Sequence, residues 1–436
     1  MFYGWIVLVI GTFGVLMTVP GQTIGVSAFT DLLIRDLNIS RSNLSLAYLL
    51  GTLSSSLLLA KAGRIYDRHG ARLVGTGIVV ALGSVLLFLA SLPETVWFVS
   101  GVLGFIPVTA VTFVLITTGF FLLRFTGQGV LSLVSRNMVL KWFDRRRGLA
   151  TALVGVATTL GFSSLAITFN SLIGRVGWQM TWRLTGLFLA VPFALLFLVL
   201  ARDNPAECGL QPDGGSTPVP TSGVRRSRKQ TTSTVDFTLL QARQTLTFWV
   251  ILGTVTLGSL YFTGLTFNIV SIFEAAGYSR AIAIGTFFPA SVIALILNFL
   301  GGWISDHIRM KYLVVVQILG IITGAIATIF LSSPYMVVLL IIAKGINGGM
   351  FGIVSSVPWP RFYGLLNLGS ISGFVMGWSV AGSALGPYFF SLSLDFVGGY
   401  GAVSLLTAGL ALGLLVLSPL ANRPRAPRDV AAENAT

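Results

Sequence analysis

One cysteine and two histidines are all that 436 residues hold of the side chains most used for redox chemistry, nucleophilic attack and metal binding. The lone Cys208 excludes an intrachain disulfide. No Cys/His dyad, serine-nucleophile motif or metal-ligand cluster can be drawn from the rest, so neither enzymatic chemistry nor a resident cofactor finds support. Acid is scarce as well: 14 Asp and Glu stand against 28 Lys and Arg, and only 10% of the chain is charged at all. What fills the chain is apolar, with 54% hydrophobic residues and a mean hydropathy of +0.87. Most of such a chain cannot face water. Its apolar runs reach the roughly 20 residues that a helix needs to cross a bilayer, whereas barrel strands would read as alternating segments of about 10. The sequence therefore predicts an all-α, multi-pass membrane protein. The first apolar run starts at Gly4 with neither a basic leader nor a small-residue cleavage pattern, and is read as a retained span.

Pro, Gly and charge divide the chain into twelve predicted transmembrane helices. Six fall at residues 4–33, 43–62, 73–91, 113–140, 148–173 and 180–201, and six more at 246–273, 281–304, 313–331, 335–357, 367–392 and 400–420. Residues 1–201 and 246–422 thus form two pseudo-symmetric six-helix bundles, joined by a Pro- and Ser/Thr-rich linker at 202–245 and followed by a disordered tail at 423–436. With both termini in the cytoplasm, 21 basic residues fall inside and 5 outside, a strong positive-inside bias that sets the protein in the cytoplasmic (inner) membrane. The net charge of +14 then reports topology, and nucleic acid is excluded as a partner. The cluster Arg225, Arg226, Arg228 and Lys229 of the linker is a solvated tether that can touch anionic lipid heads. Residues near 94–112 are an apolar surplus of the first half. One more span would reverse the charge bias, so they are expected to form an outer interfacial or re-entrant helix.

The halves share a local pattern. Gly63-Arg64-Ile65-Tyr66-Asp67-Arg68-His69-Gly70-Ala71-Arg72 follows the second span, and Gly302-Trp303-Ile304-Ser305-Asp306-His307-Ile308-Arg309 follows the eighth. Each places an Asp four residues after a Gly, where Gly permits close helix approach and the carboxylate can meet the positive N-terminal end of a neighbouring helix. The first copy resembles the loop signature of the major facilitator superfamily. Ala71 stands where a further basic residue is usual, and Arg309 where the second Gly would sit. The resemblance implies the major facilitator fold and a gating role for Gly63, Asp67, Arg68, Gly70 and Arg72, and a weaker one for Asp306. Tyr3-Gly4-Trp5 and the run from Trp142 through Arg145, Arg146, Arg147 and Gly148 to Gly161 are similar to signatures of monocarboxylate transporters. Gly369-Ser370-Ile371-Ser372-Gly373 with Gly386-Pro387 resembles the eleventh span of that group and of its oxalate/formate exchanger relatives.

Arg124 and Lys344 lie deep in apolar runs where no carboxylate reaches comparable depth. An unpaired charge at mid-span costs roughly 2.5–3.5 kcal/mol on insertion scales, and an anionic ligand held between the two would offset it. Each cation stands seventeen positions before a basic residue at a helix end, Lys141 and Arg361, which gives the two matching depths on equivalent helices. Gln128 and Asn347 share their helix faces. Gln22, behind a Pro20-Gly21 kink, Tyr261 and Asn268 on one face of span seven, and Trp378 in span eleven are further candidate ligand contacts. Arg offers a planar fork for a carboxylate and Lys a movable point charge. The expectation is a monomeric secondary transporter of a small organic anion, a monocarboxylate first and an oxalate-type dicarboxylate second. It would work by anion exchange or with protons as co-substrate, since Lys344 is the only midspan group other than Tyr that could change protonation. Efflux of neutral or cationic drugs is opposed by the buried cations. A membrane ligand sensor is the alternative of another class, and the short tail after Leu420 shows no output domain for it.

Overall fold

The computed structural model describes residues 2–102, 104–214 and 236–424. Among these residues the chain is helical, with no strand. Among the described residues, ten helices are long and apolar enough to cross a membrane. One of them, Asn43–Ala90, runs for 48 residues. At about 1.5 Å per residue that is roughly 70 Å, more than twice the hydrocarbon thickness of about 30 Å, so it carries two crossings. Gly70 is its one non-helical residue, at φ 75°, a conformation that glycine adopts without steric cost and that turns the chain between the second and third spans. The helix Arg147–Val176 supplies the fifth crossing and completes twelve. The remaining spans are the first, Gly4–Gly21; the fourth, Val108–Trp142; the sixth, Trp178–Leu200; and the seventh, Leu246–Phe267. Then come the eighth, Phe287–Ser305; the ninth, Met310–Ile329; the tenth, Pro334–Tyr363; the eleventh, Leu368–Val397; and the twelfth, Gly401–Leu420.

Several crossings are broken. The first is an α-helix only to Leu16; Val19–Gly21 is a 3-10 turn around Pro20, and short helices Thr23–Ser27 and Thr30–Asp36 follow. Pro lacks the amide that would continue the ladder, so the expected kink falls at its place in the sequence. The seventh span stops at Asn268, whose Nδ2 donates to the Gly264 carbonyl at 3.0 Å, and a separate helix Ile269–Ala275 continues. The apolar surplus of the first half forms the helix Leu92–Val102, with eleven residues too short to cross. Its Leu92 and Val96 are buried, while Trp97, Phe98 and Val102, with Phe105 beyond it, are exposed. The linker expected over 202–245 is described only to residue 214 and from 236, and the disordered tail expected over 423–436 lies outside the described residues after 424. The basic cluster from Arg225 to Lys229 lies outside them too.

The chain divides into two compact units. One comprises Met1–Trp142, Ala157–Gly215 and Ser372–Gly377; the other comprises Phe143–Val156, Ser216–Ile371 and Trp378–Thr436.

In the first unit, the turn around Gly70 is fastened by Asp203, a carboxylate just beyond the sixth span. Asp203 Oδ1 accepts from the Tyr66 hydroxyl at 2.8 Å and from the Ala71 amide at 3.1 Å. Its Oδ2 accepts from Lys141 Nζ at 2.6 Å and from Asn204 Nδ2 at 3.1 Å. Lys141 Nζ also lies 4.6 Å from the centre of the Tyr66 ring. The ends of the second, fourth and sixth spans thus share one buried acid. Loss of one member of a buried, fully hydrogen-bonded ion pair leaves the other charge without compensation, at a cost of about 3–5 kcal/mol. Asp203→Ala should therefore lower the thermal midpoint of the purified protein steeply, and the double variant Asp203→Leu/Lys141→Met should recover most of that loss in the same melt.

Candidate functional site

Arg124 opens a π-helical stretch, Arg124–Leu131, inside the fourth span. Such stretches are rare and recur at functional sites, because they interrupt the regular ladder and re-aim side chains. The guanidinium is 2% exposed. Its Nη1 donates to the Gly21 carbonyl at 3.0 Å, an acceptor that the broken turn at Pro20 leaves free of the helical ladder. Its Cζ stands 5.0 Å from the centre of the Tyr48 ring, and the Tyr48 hydroxyl lies 3.0 Å from Thr23 Oγ1. Nε has no partner, and no carboxylate among the described residues pairs with the group. Five donors face one carbonyl and one aromatic face, which leaves this cation short of acceptors.

Lys344 has the corresponding place in the tenth span. It is 3% exposed, its Nζ has no hydrogen-bond partner among the described residues, and it sits 3.9 Å from the centre of the Phe287 ring. One turn on, Asn347 donates through Nδ2 to the Ala343 carbonyl at 3.1 Å, while its Oδ1 has no partner. Gln317 of the ninth span is fully buried with both amide atoms unbonded. A Cβ on Gly258 would lie 3.1 Å from Gln317 Nε2 and 3.6 Å from Asn347 Oδ1, so the two amides border the same small gap beside the seventh span. Both cations are held by aromatic faces, a geometry worth about 2 kcal/mol or more when desolvated.

The other predicted contacts divide. Gln22 adjoins the Gly21 carbonyl that Arg124 uses, and its Nε2 donates to Thr18 Oγ1 at 3.0 Å. Gln128 is half-buried within the π stretch, its Oε1 unbonded. Tyr261 is instead part of a hydrophobic core with Phe390 and Leu265, its hydroxyl 3.3 Å from Thr328 Oγ1. Asn268 ends its helix. The expected shared face of Tyr261 and Asn268 is interrupted, because the helix stops at Phe267. Trp378 is 48% exposed. Tyr48, Phe287 and Gln317 are not legible in sequence as site residues: each lies in an apolar helix, and only packing brings Tyr48 and Phe287 beside a cation and Gln317 beside the gap that Asn347 borders.

In the first copy of the shared local pattern, Gly63 is buried, Asp67 half-buried, and Arg68 exposed. Arg72 Nε donates to the Leu198 carbonyl at 2.7 Å. The second copy has a clear geometry. Asp306 Oδ1 accepts from the Gly148 amide at 2.8 Å and Oδ2 from the Leu149 amide at 3.1 Å, so the carboxylate caps the start of the fifth span. Arg361 Nη2 reaches Asp306 Oδ1 at 3.0 Å. The Gly148 position admits no side chain, since a Cβ there would overlap the Gly302 carbonyl and Ser305 Oγ. Burial holds the Asp306 carboxyl above its ordinary value, against the opposing pull of the Gly148 and Leu149 amides and of Arg361.

The sequence profile of the Major Facilitator Superfamily matches residues 9–387. The chain belongs to that superfamily: it is an integral, multi-pass membrane transporter of small molecules, not an enzyme. No curated protein matches the chain. Its fold is similar to that of the proton:xylose symporter XylE bound to 6-bromo-6-deoxy-D-glucose, at 16% identity, a TM-score of 0.58 and 95% coverage of each chain. It is also similar to the E. coli fucose:proton symporter FucP, at 12% identity, a TM-score of 0.61 and coverage of 97% of this chain and 100% of that one. The human organic anion transporter MFSD10 matches at 15% identity with a TM-score of 0.61, over 95% of this chain and 99% of that one.

The raised pKa of Asp306 has a definite sign. The folded protein binds the Asp306 proton more tightly than an unfolded chain, whose Asp titrates near 3.9, so this group's contribution to stability falls as pH rises from there through the folded value. Melting curves of the detergent-solubilised protein should show that component, and Asp306→Asn should flatten it.

Proposed function

We propose that the protein carries a small organic anion, a monocarboxylate first among the candidates, by alternating access, with Arg124 and Lys344 as the groups that bind its charge. One observation carries this reading: both cations are buried inside apolar spans with no carboxylate partner among the described residues. A structural cation at that depth is expected to rest against an acid, as Lys141 and Arg361 do at the span ends. Sugars and neutral drugs give such groups no counter-charge. Among proteins of similar fold, one is an organic anion transporter and two are proton symporters of sugars, so the likeness of fold leaves the choice to the site residues.

Gln22, Gln128 and Asn347 are proposed as polar contacts beside the charges. Exchange of one anion for another, or symport of a proton carried by Lys344 or by the ligand, both suit a site with no internal carboxylate. Asp67 and Asp306, with the glycines and arginines around them, are proposed as the gating set. The excess of 21 basic residues over 5 supports an inner-membrane protein with both termini in the cytoplasm.

In proteoliposomes, Arg124→Gln and Lys344→Gln should each reduce uptake of radiolabelled lactate and oxalate by at least about a hundredfold, the order expected when a buried charge-assisted contact is lost, with expression and melting temperature retained. Uptake at the normal rate by either variant would exclude that residue from the site.

A further inference from the structure

The π stretch of the fourth span changes which residues stand below Arg124. Arg136 follows it by twelve residues. In an unbroken α-helix that spacing places the two side chains about 120° apart. A π turn takes up one residue more than an α turn, which rotates everything beyond it by about 100°. Arg136 is thereby brought to within roughly 20° of the Arg124 face and about 17 Å nearer the end that carries Lys141.

The neighbours bound the sector of the helix that Arg136 occupies. Ser135 and Val139 lie against Gly14 and Gly11 of the first span. On the far side of the helix, Leu133 lies against Gly373, and Asn137 Nδ2 donates to Ser372 Oγ at 2.6 Å. Arg136 projects from the sector between these two packed faces, about 100° from Ser135 and from Asn137 alike. It is half-buried, and no hydrogen bond or ion pair engages its guanidinium among the described residues. Lys141, five residues on, is by contrast locked to Asp203.

We infer that Arg136 is a second anion contact, a waystation on the same face of the fourth span, which a small carboxylate occupies between Arg124 and the membrane face on the Lys141 side. The inference rests on the anion-transport reading above. The separation of about 17 Å is too great for one small anion to bridge, so the two arginines act in succession. The first is a buried binding site and the second a partly hydrated one, and only the π register makes them a single track.

Reconstitution in both orientations tests this, with radiolabelled lactate and oxalate as probes. Arg136→Gln should raise KM about tenfold for the probe presented at the face on the Lys141 side, the loss of one partly hydrated charge-assisted contact. KM from the opposite face and the maximal rate should stay within about twofold, and Arg136→Lys should restore most of the affinity. Wild-type KM from both faces in a variant that melts normally would overturn the inference while leaving the transport reading intact. So would equal damage in the Gln and Lys variants with a lowered melting temperature, which would show a packing role. A wild-type protein that moves neither probe would overturn the transport reading, and this inference with it.

Discussion

The structure turns on an imbalance of charge inside an apolar bundle. Acids are few, and two of them stand at the ends of spans, where Asp203 holds Lys141 and Asp306 holds Arg361. The cations seventeen residues deeper on the same two spans, Arg124 and Lys344, meet a carbonyl and aromatic faces, and no carboxylate among the described residues pairs with either. A permanent carboxylate partner would neutralise them and leave no affinity for a guest. The shortage of acid within the spans leaves their positive charge buried, positioned and incompletely satisfied, which is what the proposed anion site requires.

Irregular backbone is the second ingredient. In hydrocarbon, every unbonded peptide group is costly, so a helix breaks only where the freed groups meet protein partners. The first span breaks at Pro20-Gly21, and the Gly21 carbonyl released there receives Arg124. The fourth span loosens into a π stretch beginning at Arg124 itself, with Gly127 packed closely against Gly21. Two local departures from the α-helix meet at one side chain. This is how the bundle supplies a cation with an acceptor without supplying it with a counterion.

Two carboxylate tethers each join the start of one span to the end of another. Asp306 caps the start of the fifth span and takes Arg361, as its place four residues after a glycine suggests. In the first half, the turn around Gly70 is fastened by Asp203, from beyond the sixth span, through the Tyr66 hydroxyl and the Ala71 amide. The turn is thus fixed from outside the motif, by an acid whose importance is invisible in a segment that reads as the start of a linker.

Composition and hydropathy by themselves determined the membrane class, the helical architecture and the twelve crossings, because burial in lipid is a property of each span alone. The Pro20-Gly21 break and the isolation of two deep cations were equally legible, since proline's missing amide and a buried charge act wherever they stand in the chain. Partners decided the rest. Tyr261 was indistinguishable in sequence from a cavity residue, yet it packs into a core with Phe390, more than a hundred residues away. Tyr48 and Phe287 gained their roles only by standing beside a cation. The register of the fourth span below Arg124 depends on one extra residue taken up by the π stretch, an adjustment that side-chain periodicity does not record and that only the packing of neighbouring spans can favour.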